Sequence, residues 1–460
     1  MSIVSAQEIV DLALQMAATS GRCDETIVIV TDSADASLRW AGNSMTTNGV
    51  ATSRTTAVIS IVRQGDHIAR VGAQSSSVVD PAALADLVAA SEYAAHTAPE
   101  AGDSAPLLTD SGEPADWGDP IPDTGAAVFA ELARELTVGF GRSDRLYGFA
   151  HHVVETTFVG TSTGVRRRFT QPTGSVEINA KRGDASAWAG VSTPWFADVP
   201  VQAMLSDLSM RLGWAQRTVE LPAGRYETLM PPSTVADMMI YLGWSMEGRG
   251  AQEGRTALSA PGGGTRVGER LSELPLTLYS DPSASGLECA PFVHAASSSE
   301  RASVFDNGMG IDRVDWIRDG AVNSLVYSRA AAAEFGTTPA VPADNLLMNG
   351  GSADLADMVA RTERGLLLTT LWYIRTVDPT TLLLTGLTRD GVYLIEDGEV
   401  TAAVNNFRFN ESPLDLLRRA AEAGVAEQTL PREWGDWATR AVMPTLRIPD
   451  FHMSSVSQAQ

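Results

Sequence analysis

Asp319-Gly320 and Asp397-Gly398 each separate two short runs rich in apolar and β-branched residues, and no other feature constrains the chain as much. An Asp-Gly pair accepts the positive φ angles of a two-residue turn. Residues 314–318 with 321–328, and 392–396 with 399–404, are therefore expected to fold back as antiparallel hairpins. Strand-like runs dominate from Gly224 onward, interrupted by helical patterns near 233–247 and 413–423. The second half reads as mostly antiparallel β.

The first half is mixed. Ser5-Ala6-Gln7-Glu8 has the form of a capping box, Ile9, Val10, Leu12, Ala13 and Met16 follow at helical spacing, and Gly21 supplies a stop. Strands are expected at 26–31, 37–41, 56–63 and 68–73, with turns at Asn48-Gly49 and Gly65-Asp66. Asp80-Pro81 opens a helix whose apolar stripe includes Leu84, Leu87 and Val88. From His96 to Thr124 the chain turns to Pro, Gly, Asp and Ser, which offers no periodic apolar face and reads as a linker. A helix at 126–138, strands at 146–159, 165–169 and 175–181, and a helix at 201–217 follow. The expected class is α+β. Its expected organisation is an N-terminal α/β subdomain (1–97), a Pro/Gly/Asp-rich linker (98–124), a second α/β subdomain (125–222) and a mainly β C-terminal domain (223–460).

With 460 residues, 44% hydrophobic and 20% charged, the chain has ample material for packed cores. Its 34 Lys+Arg against 56 Asp+Glu leave a net charge of -22, which argues against nucleic acid and anionic membrane surfaces as partners. The first residues lack a basic region, and Glu8 and Asp11 interrupt any apolar core, so no signal peptide is expected. No apolar run approaches the ~20 residues a spanning helix needs. Cys23 and Cys289 are far apart and form no framework, which fits a reducing cytoplasm.

Catalytic motifs are sparse. The histidines are His67, His96, His151, His152, His294 and His452, and none pairs with another at the i, i+4 spacing of a helical metal site. His151 and His152 adjoin, but successive strand residues face opposite ways. Gly160-Thr161-Ser162-Thr163-Gly164 matches a nucleophile elbow in letters alone: a strand-like run, Val165 to Phe169, follows it where a helix is required, so Ser162 reads as a hairpin tip. Arg166-Arg167-Arg168 reads as a solvated strand end. Pro261 to Thr265 lacks the Lys-Ser/Thr of a phosphate loop, and Gly308-Met309-Gly310 lacks the third glycine of a dinucleotide fingerprint. Cys289, with His294 and Glu288 nearby in sequence, reads as a buried thiol. The residues by themselves thus offer no catalytic, cofactor-binding or metal-binding set.

A family resemblance adds to this reading. Leu221 to Leu229, Met246-Glu247-Gly248, Val304 to Gly308, Arg318-Asp319-Gly320, Val359 to Leu366, Leu394 to Glu399 and Asn406 to Pro413, in that order and spacing, resemble the TldD/TldE (PmbA) family. TldD-like members carry His-Glu-x-x-x-His on a helix and bind zinc; TldE-like members lack it. Counting back from Gly243 to Gly248, the three motif positions hold Met239, Ile240 and Trp244, and no cysteine follows Cys289 where the zinc branch uses one. The chain looks like the TldE branch. The resemblance implies no cofactor in this chain, zinc in a TldD-like partner, and a non-catalytic, substrate-positioning role in a heteromeric metallopeptidase that trims unfolded peptides and modified-peptide precursors. It also implies a link to modulation of DNA gyrase. Two alternatives stand beside it: a stand-alone hydrolase using Ser162 or Cys289, and a peptide-binding regulator without a peptidase partner.

Overall fold

A computed structural model describes residues 4–65, 68–77, 80–110 and 112–457. Asp66 of the Gly65-Asp66 turn and His67 lie outside the described residues. The first half contains α1 (Ala6–Ser20), β1 (Glu25–Ala41), β2 (Met45–Arg63), β3 (Ala69–Ser76), α2 (Pro81–Thr97), α3 (Ala130–Phe140), β4 (Arg145–Thr161), β5 (Arg166–Arg182), β6 (Ala185–Ser192) and α4 (Val201–Trp214). The capping box forms: the Ser5 hydroxyl accepts from the Glu8 amide at 3.2 Å, and the Glu8 carboxylate accepts from the Ser5 amide at 2.8 Å. Gly21 closes α1 with φ 61°.

The six strands make one antiparallel sheet in the order β3-β2-β1-β4-β5-β6. Strands from both sides of residues 98–124 therefore share a sheet. The period of two along β1 divides its two faces. Val28 and Val30 pack under α1 and α2, while Ala36, Leu38 and Trp40 pack under α3 and α4. Ile27 and Ile29 face the other way, with Ile59 and Ile61, onto Phe292, Val304 and Phe305 from the second half.

Three expectations for this half need correction. Asn48-Gly49 is not a turn: it lies inside β2, opposite Leu38 and Ser37. The chain reverses instead at Gly42 (φ 60°) and Asn43 (φ 67°), which satisfy the same two-residue geometry. Residues 98–124 carry no regular face, but single side chains still pack: Ala105, Leu107 and Trp117 are buried, and the Trp117 ring meets Phe158 edge-on at 5.3 Å. Nor is the arginine run a solvated strand end. Arg166 pairs with Asp11 (3.2 Å), Arg167 with Asp110 (2.9 Å) and Arg168 with Asp116 (3.3 Å), clasping α1 and the 98–124 segment to β5.

The second half contains β7 (Thr218–Val219), β8 (Gly224–Met230), α5 (Pro232–Trp244), α6 (Gly248–Gln252), β9 (Leu278–Ser280), β10 (Val314–Arg318), β11 (Ala321–Val322), α7 (Arg329–Phe335), β12 (Leu346–Met348) and α8 (Leu355–Ala360). It continues with β13 (Arg364–Leu368), β14 (Leu371–Asp378), β15 (Leu383–Thr388), β16 (Val392–Glu396), β17 (Glu399–Val404), β18 (Phe407–Glu411), α9 (Pro413–Arg419), β19 (Glu422–Thr429) and β20 (Ala441–Val456). Their sheet runs β11-β10-β9-β12-β20-β8-β13-β16-β17-β7, with β18 and β19 also joined to β20. Most pairs are antiparallel; β12 with β20, β13 with β8 and β17 with β7 are parallel. Both Asp-Gly turns form, with φ of 48° and 81° at Asp319 and Gly320 and of 52° and 81° at Asp397 and Gly398. The expected strand after Gly320 is shorter, ending at Val322. The class is α+β.

Candidate functional cleft

Helix α5 starts at Pro231-Pro232, where a proline at the first helical position costs no hydrogen bond. Thr234 to Leu242 are all buried, so the helix is buried all round, with Asp237 among its mostly apolar side chains, and sits inside the C-terminal core. Met239 is fully buried there. Ile240 and Trp244, four residues apart and hence on one helical face, instead line a cavity of about 100 Å³ at the exposed end of the helix. The Trp244 ring is held edge-on by Trp434 (4.7 Å) and Tyr241 (5.5 Å).

The opposite walls come from distant parts of the chain: Arg301, Trp316, Asp344, Trp437 and Arg440. Arg440 is buried and acts as a hub. Its Nη1 pairs with Asp344 at 3.1 Å, and its Nη2 donates to the Pro172 carbonyl at 3.0 Å and to the Thr173 hydroxyl, both on β5. The Gln171 amide donates to Asp344 at 3.1 Å and accepts from the Ala290 amide at 3.0 Å. A second cavity of about 100 Å³, with Phe169, Trp195 and Glu288 in its wall, shares Arg440 with the first. Three indoles open onto this region while still exposed: Trp195 at 62%, Trp437 at 77% and Trp244 at 37%. Exposed aromatics gathered around cavities mark binding surfaces. A larger cavity, about 730 Å³, lies away from α5, between the β5–β6 turn and the ends of β16 and β17.

The residues singled out from sequence fall into two groups. Ile240 and Trp244 meet in the cleft and Met239 does not. The three offer an aliphatic chain, an indole and a core thioether, so this end of α5 does not fit a zinc ion. No group of three or more His, Cys, Asp or Glu suited to a metal occurs among the described residues. Ser162 lies at the β4–β5 turn, where its hydroxyl accepts from the Thr26 amide at 3.0 Å and its own amide donates to the Thr26 carbonyl at 2.8 Å. It fastens the hairpin to β1. Cys289 is buried, and burial, with Asp344 adding to it, pushes its thiol up to about 12, so it stays protonated at neutral pH. His294 is shifted down by burial. His151 and His152 do face opposite ways: one meets Asp35, and the other is buried against the Thr124 hydroxyl at 2.6 Å.

Arg301, Asp344, Trp437, Arg440 and Trp195 carry most of the cleft, and sequence reasoning missed them all. They share no motif and lie up to 245 positions apart (440 minus 195); the Trp434-x-x-Trp437 pair ahead of Arg440 is the single local hint. Chemically the cleft offers cationic and aromatic walls but no nucleophile–base pair.

The two-sheet α+β fold defines a class that known proteins share. The sequence profile of the PmbA/TldA metallopeptidase C-terminal domain matches residues 223–455, and the chain belongs to the PmbA/TldD family. No curated protein sequence matches it. Its fold is similar to the crystal structure of TldE from Thermococcus kodakarensis (TM-score 0.78, 16% identity, 96% of this chain and 99% of that one). It is likewise similar to proteins named as candidate modulators of DNA gyrase. One is from Bacteroides thetaiotaomicron (0.77, 14%, 99% and 100%) and another from Thermotoga maritima (0.73, 13%, 97% and 100%).

Proposed function

We propose that this chain is the non-catalytic, substrate-positioning subunit of a heteromeric TldD/TldE-type zinc metallopeptidase of the cytoplasm, acting on unfolded peptides and modified-peptide precursors. The observation that carries this reading is the face of α5: the family scaffold is retained while Ile240 and Trp244 turn hydrocarbon and indole toward the cleft. Zinc and the general base then belong to a TldD-like partner, and this chain contributes surface.

Two features support peptide holding. The exposed indoles around Arg440 suit apolar side chains. Residues 45–55 of β2 pair only with β1 among the described residues, because β3 begins its pairing at Thr56; an open edge of this kind can add a strand through backbone hydrogen bonds. The stand-alone hydrolase reading has less behind it: the Ser162 hydroxyl is occupied by Thr26 and the Cys289 thiol is buried and protonated. Among the described residues no helix is long and apolar enough to cross a membrane.

The test is size-exclusion chromatography of the chain mixed with a TldD-like protein from the same organism, with zinc measured in each fraction. The reading expects co-elution, with zinc following the partner. Separate elution, or about one zinc per copy of the isolated chain after dialysis, contradicts it.

A further inference from the structure

Arg301 differs from the other charged groups around the cleft. Its Nη1 donates to the Gly243 carbonyl at 2.7 Å, at the end of α5, and the residue lines the cavity together with Trp244 and Trp316. Among the described residues no carboxylate lies within ion-pair distance of it. The charge of Glu247, itself half-buried, acts on it from beyond that distance. The other guanidinium in the wall, Arg440, is already occupied by Asp344, Pro172 and Thr173. The cavity thus holds two guanidinium groups against one carboxylate, and that carboxylate is taken.

A guanidinium drawn partly out of water with one backbone carbonyl for a partner and no carboxylate is under-compensated, and one that faces a cavity is placed to receive an anion. The cavity of about 100 Å³ has room for a chain end or one side chain, not for a folded surface. Its walls are indoles and an isoleucine, which suit the apolar part of an amino-acid residue beside the charge.

We propose that Arg301, with Ile240, Trp244 and Trp437 around it, binds a carboxylate of an extended peptide. The assignment rests on the peptide-holding reading above and adds what the cleft selects. The carboxylate comes from a free C-terminus or from an Asp or Glu side chain. Preference for an acidic probe runs against the chain's own charge of -22, so it reports a local site rather than a general field.

Isothermal titration of the full chain with three N-acetylated, unstructured octapeptides of Ala, Gly and Leu tests this. One has a free C-terminus, one a C-terminal amide, and one an amide with a single internal Glu. A charge-assisted contact to a partly buried guanidinium predicts that the acid binds about 10- to 100-fold more tightly than the amide. If the Glu-containing amide recovers that affinity, the source is a side chain; if only the free acid has it, the source is the chain end. Arg301→Gln should erase the difference and Arg301→Lys, which keeps the charge, should retain part of it, with both variants checked for an unchanged melting transition. Equal binding of all three peptides, or a preference that survives Arg301→Gln in the folded variant, overturns the carboxylate site and leaves peptide holding intact. Binding of none of them overturns peptide holding and the site with it.

Discussion

Replacing Trp244 by alanine separates packing from chemistry at the cleft end of α5. The side chain is 37% exposed, so roughly two-thirds of it is covered, about 100–150 Å² of apolar surface. At ~25 cal/mol/Å² that burial contributes about 2.5–4 kcal/mol. The edge-on contacts with Trp434 and Tyr241 add about 0.5–1.5 kcal/mol each, and the open mouth of the cavity lets water refill the space, which offsets part of the cost. A net loss of about 2–4 kcal/mol is expected for Trp244→Ala. For a region the size of the C-terminal half, this lowers the melting temperature by roughly 5–15 °C. Calorimetry of the isolated chain measures it. In the reconstituted complex, assayed below the variant's melting range, KM should rise while kcat stays within about threefold, because the indole lines the cleft without touching reacting atoms. A drop of 100-fold or more in kcat with the melting temperature unchanged would refute the reasoning.

Two further outcomes follow from the same structure. Asp237 on α5 is fully buried, with one carboxyl oxygen accepting from the Glu433 amide at 3.0 Å and the other unpartnered, and burial raises its pKa well above the ordinary value. Between the ordinary carboxylate value near 4 and that raised value the native state holds a proton the unfolded chain has lost, so this group's stabilising contribution falls as pH rises. Urea denaturation from pH 4.5 to 8 should therefore show Asp237→Asn gaining on the parent chain with increasing pH, and parallel curves would contradict the assignment. Trp117→Ala should cost about 3–5 kcal/mol and open residues 98–124 to limited proteolysis; a change under about 0.5 kcal/mol would mean that the segment is the linker its composition suggests.

Local chemistry was legible wherever a single geometry satisfied it. Ser5 and Glu8 can cap one helix start, and Asp319-Gly320 and Asp397-Gly398 lie between runs with no competing turn nearby. Asn48-Gly49 misled because Gly42-Asn43 offers the same positive φ six residues earlier. The choice between them was made by β1, which continues through Asp32 to Ala36 while paired on both sides, to β2 and β4. Polar residues such as Asp32 and Asp35 hide that continuity in the sequence; in the structure they meet Arg54 and His151 on neighbouring strands. The 98–124 segment misled for a related reason: periodicity detects faces, and Trp117 packs as a single side chain. The cleft was illegible because it is a product of tertiary assembly. Arg301, Asp344 and Arg440 become neighbours only once the C-terminal sheet and α5 have assembled. What could be read locally was a subtraction, the hydrocarbon and indole at Ile240 and Trp244.

The proposed role has this chain completing a peptidase without performing its chemistry. The most direct measurement is cleavage of an unfolded peptide by the chain alone, by a TldD-like protein from the same organism alone, and by the two mixed, each with and without a strong zinc chelator. An accessory subunit should show no cleavage alone and chelator-sensitive cleavage by the mixture exceeding that of the partner, abolished by changing the partner's zinc-binding histidine. Cleavage by the isolated chain, or a mixture no more active than its partner, would contradict it.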